Sequence, residues 1–576
     1  MGSVIRRSSA GLIPIDGGIL VTPKGGSADD SVAIQAAINR IASSGRAGKV
    51  QLVGDGHRLS NKIKLASKVT VRGAGWDATV LKGTVLVAQG APHDCFVWND
   101  TPLTVQPSAQ AILASTLQSP QLIDMAFDGF NRPVHIGDVM NTGSYYGKFE
   151  RLFSNHHTGW GFYFENCGWF NRWDTLSVND SLLGGIGGMH FGSSQVSFNN
   201  GNAVLTNLFV GNVQPGLRGI EFLATEGGFL NDINVLGIQC DAGGYSLSQV
   251  GTATGTADIT VTDGAAFLLD LPVTINVLDN TYQFLQRQMY FVVSQIGNVI
   301  QLSDTMRGPT KIVTGSWTFV SFGFPSLVIA GVGTSIIQPS TFLGIDVEGN
   351  ASTQILVQKA QVNLGVGTSN GATQDSTNYS VVCARGSAGI CSTTSEATFD
   401  IDSTSAYQMD FSGNVAQNAA APWVQHQGIG IFNTPSNHRG LALLPYPPNK
   451  FTLEDTGENF IKANMAIGQA TQVIGSPTMT LNYAYYGILI AAPSVNQVLT
   501  LPPLSTALMG LPITVVYATT VAGTTVTLNT AAGDNFGNDV TKTSYVLSAQ
   551  QKSIQVVAVD DGTLKCWAVL ANNGAV

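Results

Sequence analysis

A loose internal repeat constrains this chain more than any other feature. The pattern apolar-x-x-apolar-x-apolar fits Leu122/Met125/Phe127, Trp173/Leu176/Val178, Leu205/Leu208/Val210, Leu230/Ile233/Val235 and Phe342/Ile345/Val347. Phe149/Leu152 fits too, with Ser154 weak at the last position. Each segment is trailed by a shorter apolar-x-apolar run: Val134/Ile136, Phe162/Phe164, Met189/Phe191, Ile220/Phe222, Leu327/Ile329 and Ile355/Val357. The long segments start at 122, 149, 173, 205 and 230, a step of 24 to 32 residues. Repeats of that length, built from strands without helices, predict a coiled parallel sheet, a β-helix, whose coils pair at ~4.8 Å. A β-sandwich is the competing architecture, and the recurring long-short pairing favours the coil.

The next long segment begins only at Phe342. Residues 251–322 in between alternate differently and carry a Gly297-Asn298 hairpin turn, so they read as a small β module inserted into one coil. Upstream, Ser27-Ala28-Asp29-Asp30 supplies N-cap oxygens, and Ile34, Ala37, Ile38 and Ile41 recur at helical spacing. The predicted organisation is an N-terminal anchor or linker (1–26), a parallel β-helix with its capping helix (27–404), an irregular connector (405–470) and a C-terminal β-sandwich (471–576). The last has Asp561-Gly562 as a hairpin turn and a role in trimerisation or carbohydrate binding.

Composition supports the all-β reading. The chain has 65 glycines and only 11% charged residues, where ordinary domains carry roughly 25% charge. Long exposed helices need that missing charge. Acids outnumber bases, 37 to 28, with no Lys/Arg run, which excludes a nucleic-acid binder. No apolar stretch reaches membrane-spanning length, and Pro14 and Asp16 interrupt any secretion signal. Six scattered cysteines with no CxxC pair read as reduced, mostly buried thiols.

The stretch Ser27-Ala-Asp-Asp-Ser-Val-Ala-Ile-Gln-Ala-Ala-Ile-Asn39, followed by Gly48-Lys-Val-Gln-Leu-Val-Gly54 and Ser67-Lys-Val-Thr-Val-Arg-Gly-Ala-Gly75, resembles the capping helix and first coils of the pectate-lyase-like right-handed β-helix superfamily. With the inserted module and the C-terminal β domain, the layout is most similar to bacteriophage tailspike and tail-fibre depolymerases. The resemblance implies a homotrimer on a virion tail, joined to a tail or baseplate protein, that binds and cleaves a bacterial capsular or O-antigen polysaccharide. It implies no cofactor, no nucleic acid and no membrane insertion. Only about 25 residues precede the helix, fewer than the virion-binding domain of many tailspikes. The Asn-Thr-Asp, Gly-His-Gly and Arg-Ile-Lys set of polygalacturonases and the Trp-Ile-Asp-His segment of pectate lyases do not occur, which disfavours pectin as substrate.

Candidate site residues come from the repeat register. Glu150 and Asp174 share a repeat position one coil apart, which would set their β-carbons ~5 Å apart; they are the first-choice acid and base or nucleophile for glycosidic hydrolysis. A second outward column is His135, Tyr163, His190 and Glu221, with Glu221 a further acid whose partner would come from a neighbouring chain. Residues 141–173 are rich in aromatics; Phe149, Phe162, Phe164 and Trp173 belong to the core, and Trp160, Tyr163 and Trp169 are candidates for stacking on sugar faces. His156, His190 and Arg172 complete the expected substrate contacts. β-Elimination from a uronic acid, using His190, Tyr163, Arg151 or Arg172, is the rival chemistry, and a non-enzymatic tail adhesin the rival role. No metal site is expected; Asp534–Asp539 reads as a turn.

Overall fold

A computed structural model describes residues 12–15, 18–77, 82–179, 185–195, 200–211, 217–242, 245–276, 288–321, 323–349, 353–371, 381–393, 399–401, 405–411, 424–426, 429–433, 454–455, 459–462, 471–474, 477–481, 487–491, 494–504, 512–518, 523–537, 541–560 and 565–576. The turn expected at Asp561-Gly562 lies outside them, as does the end of the Asp534–Asp539 turn.

Two parallel stacks form the β-helix. One runs through Gln121–Asp128, Lys148–Asn155, Arg172–Asn179, Asn200–Gly211, Phe229–Ala242, Ile336–Gly349, Ala360–Gly371 and Ala388–Thr393. The other runs through Phe96–Trp98, Val134–Ile136, Trp160–Glu165, Gly187–Ser193, Arg218–Ala224, Leu327–Gly331, Ile355–Gln358 and Val381–Ala384. Between them the apolar repeat positions stack into a core. Phe149, Phe164, Trp173, Phe191, Phe222 and Phe342 form a chain of ring contacts with centroids 4.9–5.9 Å apart, which adds to the area they bury.

The two-residue gap in the long-strand motif has a structural cause. Asp124, Arg151, Thr175 and Asn207 all have left-handed backbone, with φ of +49° to +63°, and Gly237 and Gly344 take the same position in later coils. This bulge turns each strand so that the residue after it faces inward again. It also explains why Asp124 falls out of line with Glu150: the residue opposite Glu150 is Ile123, and Asp124 is the bulge residue.

The capping helix spans Ser31–Ser43 and buries Ile34, Ala37, Ile38 and Ile41. Asp30 occupies the N-cap without a side-chain bond there; Asp29 accepts the Ser31 N–H instead. The segment expected as an anchor contributes a strand at once: Gly18–Val21 pairs in parallel with Gly48–Leu52. Nor does the coil end at 404. Within the expected connector, Ala406–Phe411 and Val424–His426 extend the two stacks.

The insert is a closed six-stranded antiparallel barrel, Leu247–Ser321, that starts four residues earlier than the texture of the sequence indicated. Phe267, Leu271, Val273, Val292, Ile300, Leu302 and Phe319 fill it. The coils close past it: Arg218–Ala224 pairs with Leu327–Gly331 as if the insert were absent.

The C-terminal unit is two sheets around a shared core that includes Leu499, Ile513, Val515, Val526, Leu528, Ile554 and Trp567. Its topology is not that of an ordinary antiparallel sandwich. The first strands coil in parallel, alternating between the sheets, and only the last three run antiparallel. All six cysteines are free, and five are buried. Among the described residues no helix is long and apolar enough to cross a membrane.

Candidate active site

The structure separates the two acid-bearing columns. Glu150 and Asp174 are direct register partners on adjacent coils. Glu150 is met by Lys148 at 2.9 Å, Arg151 at 3.7 Å and Arg172 at 3.8 Å. Asp174 accepts hydrogen bonds from Thr175 and Thr206 and has Arg172 at 4.0 Å. The three cations are 39–58% exposed. This cluster is an ion-pair network on an outer sheet face, and its residues do not border the described cavity below.

The second column faces a cavity of about 820 Å³, lined by Trp160, Tyr163, His190 and Glu221 together with Arg132 and Arg218, within the ~300–1,000 Å³ typical of ligand clefts. Its opposite wall belongs to the insert, which contributes Leu269, Asp270, Val293, Arg307, Gly308 and Thr310. Tyr163, His190 and Glu221 are successive register partners, and the Tyr163 ring stacks on the His190 imidazole at 4.2 Å and 12°. Trp160 sits 5.5 Å from the same imidazole.

His190 is clamped between two carboxylates. Its Nδ1–H donates to Glu221 Oε1 at 2.6 Å and its Nε2–H to Glu165 Oε2 at 2.7 Å. Glu165 reaches across because its own register partner on the next coil is Gly192; a Cβ there would collide with Glu165 Oε2 and His190 Nε2. Burial opposes a charge on His190, but the bonds to Glu165 and Glu221 outweigh it and push the imidazole pKa up to about 9. Burial likewise opposes the Glu221 charge; Arg218 and His190 overcome it and bring the carboxyl down to about 2. At neutral pH the pair is therefore imidazolium and carboxylate.

The motif recurs two coils up the column, on the far side of Tyr163. His135 lies between Asp94 at 2.7 Å and Asp138 at 3.2 Å, and its ring meets the Tyr163 edge-to-face at 5.0 Å. Arg132 bonds Asp94 and lies over the Tyr163 ring at 5.3 Å. Across the cavity, Arg218 bridges Glu221 at 3.3 Å and Asp270 at 2.9 Å, and Arg307 also meets Asp270 at 2.9 Å. Asp94, Asp100 and His135 come close enough to share an ion, but Lys62 and Arg132 already pair with those two carboxylates, a poor donor set for a cation.

The other expected contacts lie elsewhere. His156 pairs with Asp128 at 2.7 Å, and Arg172 belongs to the Glu150 network. Trp169 stacks on Tyr145 at 6.0 Å, partly exposed on a turn. Glu165, Arg218, Asp270 and Arg307 were not expected from the sequence. Strand alternation carried a signal for Glu165, two residues past Tyr163 on the same outward face. No periodicity links Asp270 or Arg307 to the coil.

No protein-family model and no curated protein matches the chain. Among solved structures it is similar to the A-module of mannuronan C-5 epimerase AlgE4 from Azotobacter vinelandii, with 11% identity, 76% of this chain and 97% of that one covered, and a TM-score of 0.34. It is similar to a tailspike protein variant of E. coli bacteriophage HK620, with 10% identity, coverage of 96% and 89%, and a TM-score of 0.26. A DFA-IIIase variant from Arthrobacter chlorophenolicus gives 9% identity, coverage of 72% and 82%, and a TM-score of 0.24. A phage tailspike and a polysaccharide epimerase module are thus among its structural neighbours. At these values the likenesses carry no argument about activity, which rests on the cavity itself.

Proposed function

We propose that this chain is a phage-tail depolymerase that binds and hydrolyses a bacterial surface polysaccharide, capsule or O-antigen, in the cavity between the β-helix and the inserted barrel. The observation that carries this reading is the covered column: the Trp160 ring beside an ionised Glu221, with Asp270 contributed by the insert. Aromatic planes stack on the apolar faces of sugar rings. Glu221 and Asp270 are bridged by one guanidinium, a spacing compatible with the roughly 5–9.5 Å of glycosidase carboxylate pairs. Held near a pKa of 2, Glu221 is suited to be the base or nucleophile rather than the proton donor. Asp270, paired with Arg218 and Arg307, is the second carboxylate of the site.

Hydrolysis is favoured over β-elimination because the cavity offers few bases for elimination. His190 is protonated with both nitrogens engaged, and burial drives the Tyr163 hydroxyl well above its ordinary value of 10. The role on a virion tail, as a homotrimer attached to a tail or baseplate protein, follows from the sequence resemblance to tailspikes and belongs to the same proposal.

The test is digestion of a panel of capsular and O-antigen polysaccharides. Wild-type protein should release reducing ends without an unsaturated product, and Glu221→Gln should lose that release while still binding polymer. Ultraviolet absorbance from an unsaturated product would establish elimination instead. Binding with no fall in polymer size would make the chain an adhesin.

A further inference from the structure

The charges facing the cavity are unequal. Arg132, His190, Arg218 and Arg307 stand against Glu221 and Asp270, while Asp94 and Glu165 lie behind their partners. A single atom, Asp270 Oδ2, serves both Arg218 Nη2 and Arg307 Nε, each at 2.9 Å. Arg307 is thereby fixed by its Nε. Among the described residues its one side-chain hydrogen bond is made by Nε, and its side chain is 41% exposed. A guanidinium with both terminal N–H groups open is a bidentate receptor for a planar anion. Arg307 and Asp270 also both hold left-handed backbone, at φ +52° and +63°, conformations that side-chain-bearing residues adopt infrequently and that concentrate at working sites.

We propose that Arg307, anchored by Asp270, is the specificity-determining residue of the cavity and that the insert thereby selects a carboxylate-bearing sugar, a uronic acid or its equivalent, from the polysaccharide. This rests on the assignment of the cavity as a polysaccharide site. The insert would thus supply substrate choice, and the coil the reacting carboxylate Glu221. Thr310, exposed on the same wall, adds a hydroxyl beside the guanidinium for a neighbouring sugar oxygen.

The experiment compares binding of acidic bacterial polysaccharides with binding of the same polymers after carbodiimide–borohydride reduction of their carboxyl groups, which leaves phosphate and sulfate esters in place. Wild-type protein should prefer the unreduced polymer by about tenfold or more. In Arg307→Gln that preference should collapse, and Arg307→Lys, which keeps the charge but not the fork, should retain only part of it. Equal binding of both polymers by wild type, or a preference unchanged in Arg307→Gln, overturns the proposal while leaving the polysaccharide site standing; so does exclusive binding of neutral polymers. If wild type binds no polymer of the panel, the functional assignment falls and this proposal with it.

Discussion

The Glu150–Asp174 column and the His190–Glu221 column are built alike. Each sets polar side chains in register on adjacent coils of one parallel sheet. They differ in what lies over them. The first is covered only by its own half-exposed cations, with Glu150 7% and Asp174 22% exposed, and the second is roofed by the barrel, with His190 and Glu221 5% and 2% exposed. Two unit charges 4 Å apart interact by about 1 kcal/mol in water and about 4 kcal/mol at an effective dielectric of 20. Register decides which groups are neighbours; cover decides how strongly they act on each other and on a ligand. The acids that match best along the sequence are the ones that neighbouring lysine and arginine side chains of the same sheet neutralise.

The sharpest way to break this contrast is a paired substitution. Glu221→Gln should lower turnover by about 10²–10⁴-fold, the usual worth of a positioned acid–base group. Glu150→Gln and Asp174→Asn should leave it at wild-type level in the same reducing-end assay. A large loss in Glu150→Gln would transfer the chemistry to the open column.

Gly192→Ala comes next. The added methyl would collide with the Glu165–His190 contact, and forcing a methyl into a packed site costs about 1–3 kcal/mol. The expected result is a lower melting temperature together with a fall of the His190 pKa toward its ordinary value, read by NMR titration of the imidazole. A drop in stability with the titration unmoved would show that Glu165 does not hold His190.

The coil was legible because burial imposes its pattern on sequence: Phe149, Phe164, Trp173 and Phe222 had to be apolar, at a spacing that repeats. Strand alternation likewise put Tyr163, His190 and Glu221 in one column. The cavity was not legible, because its second wall comes from residues 269–310, in a module whose docking leaves no periodic trace. Glu221 was expected to find its partner on another chain; a facing carboxylate, Asp270, lies about fifty residues downstream in the same one. The bulge at Asp124, Arg151 and Thr175 was hidden for a different reason. Left-handed backbone is marked clearly by glycine, and the early coils use other residues there.

A pH series tests the covered column by itself. His190 has a raised pKa, so the stability it contributes is fully present below its ordinary value of 6.5 and is lost as pH rises through about 9. Glu221 has a depressed pKa, so its contribution is present above its ordinary 4.5 and is lost as pH falls toward about 2. Wild-type stability should therefore fall on both flanks of a plateau between those ordinary values. His190→Gln should flatten the alkaline flank selectively. An alkaline flank unchanged in that variant would place the titrating group elsewhere.

The smallest expected effect lies in the open column. Arg172 touches Glu150 at 3.8 Å and Asp174 at 4.0 Å while its side chain is 58% exposed. Exposed pairs of this kind are worth ~0–1 kcal/mol because side-chain ordering and solvent screening offset the Coulomb gain. Arg172→Ala should therefore shift the unfolding midpoint by no more than ~1 kcal/mol equivalent, and the shift should shrink further as salt is raised. Lys148 and Arg151 would continue to neutralise Glu150 in the variant. A loss well above that range, insensitive to salt, would mean that the exposed Arg172 is held to the buried Glu150 as firmly as the roofed groups are held to each other, and the distinction between the two columns would then have to rest on something other than the cover of the barrel.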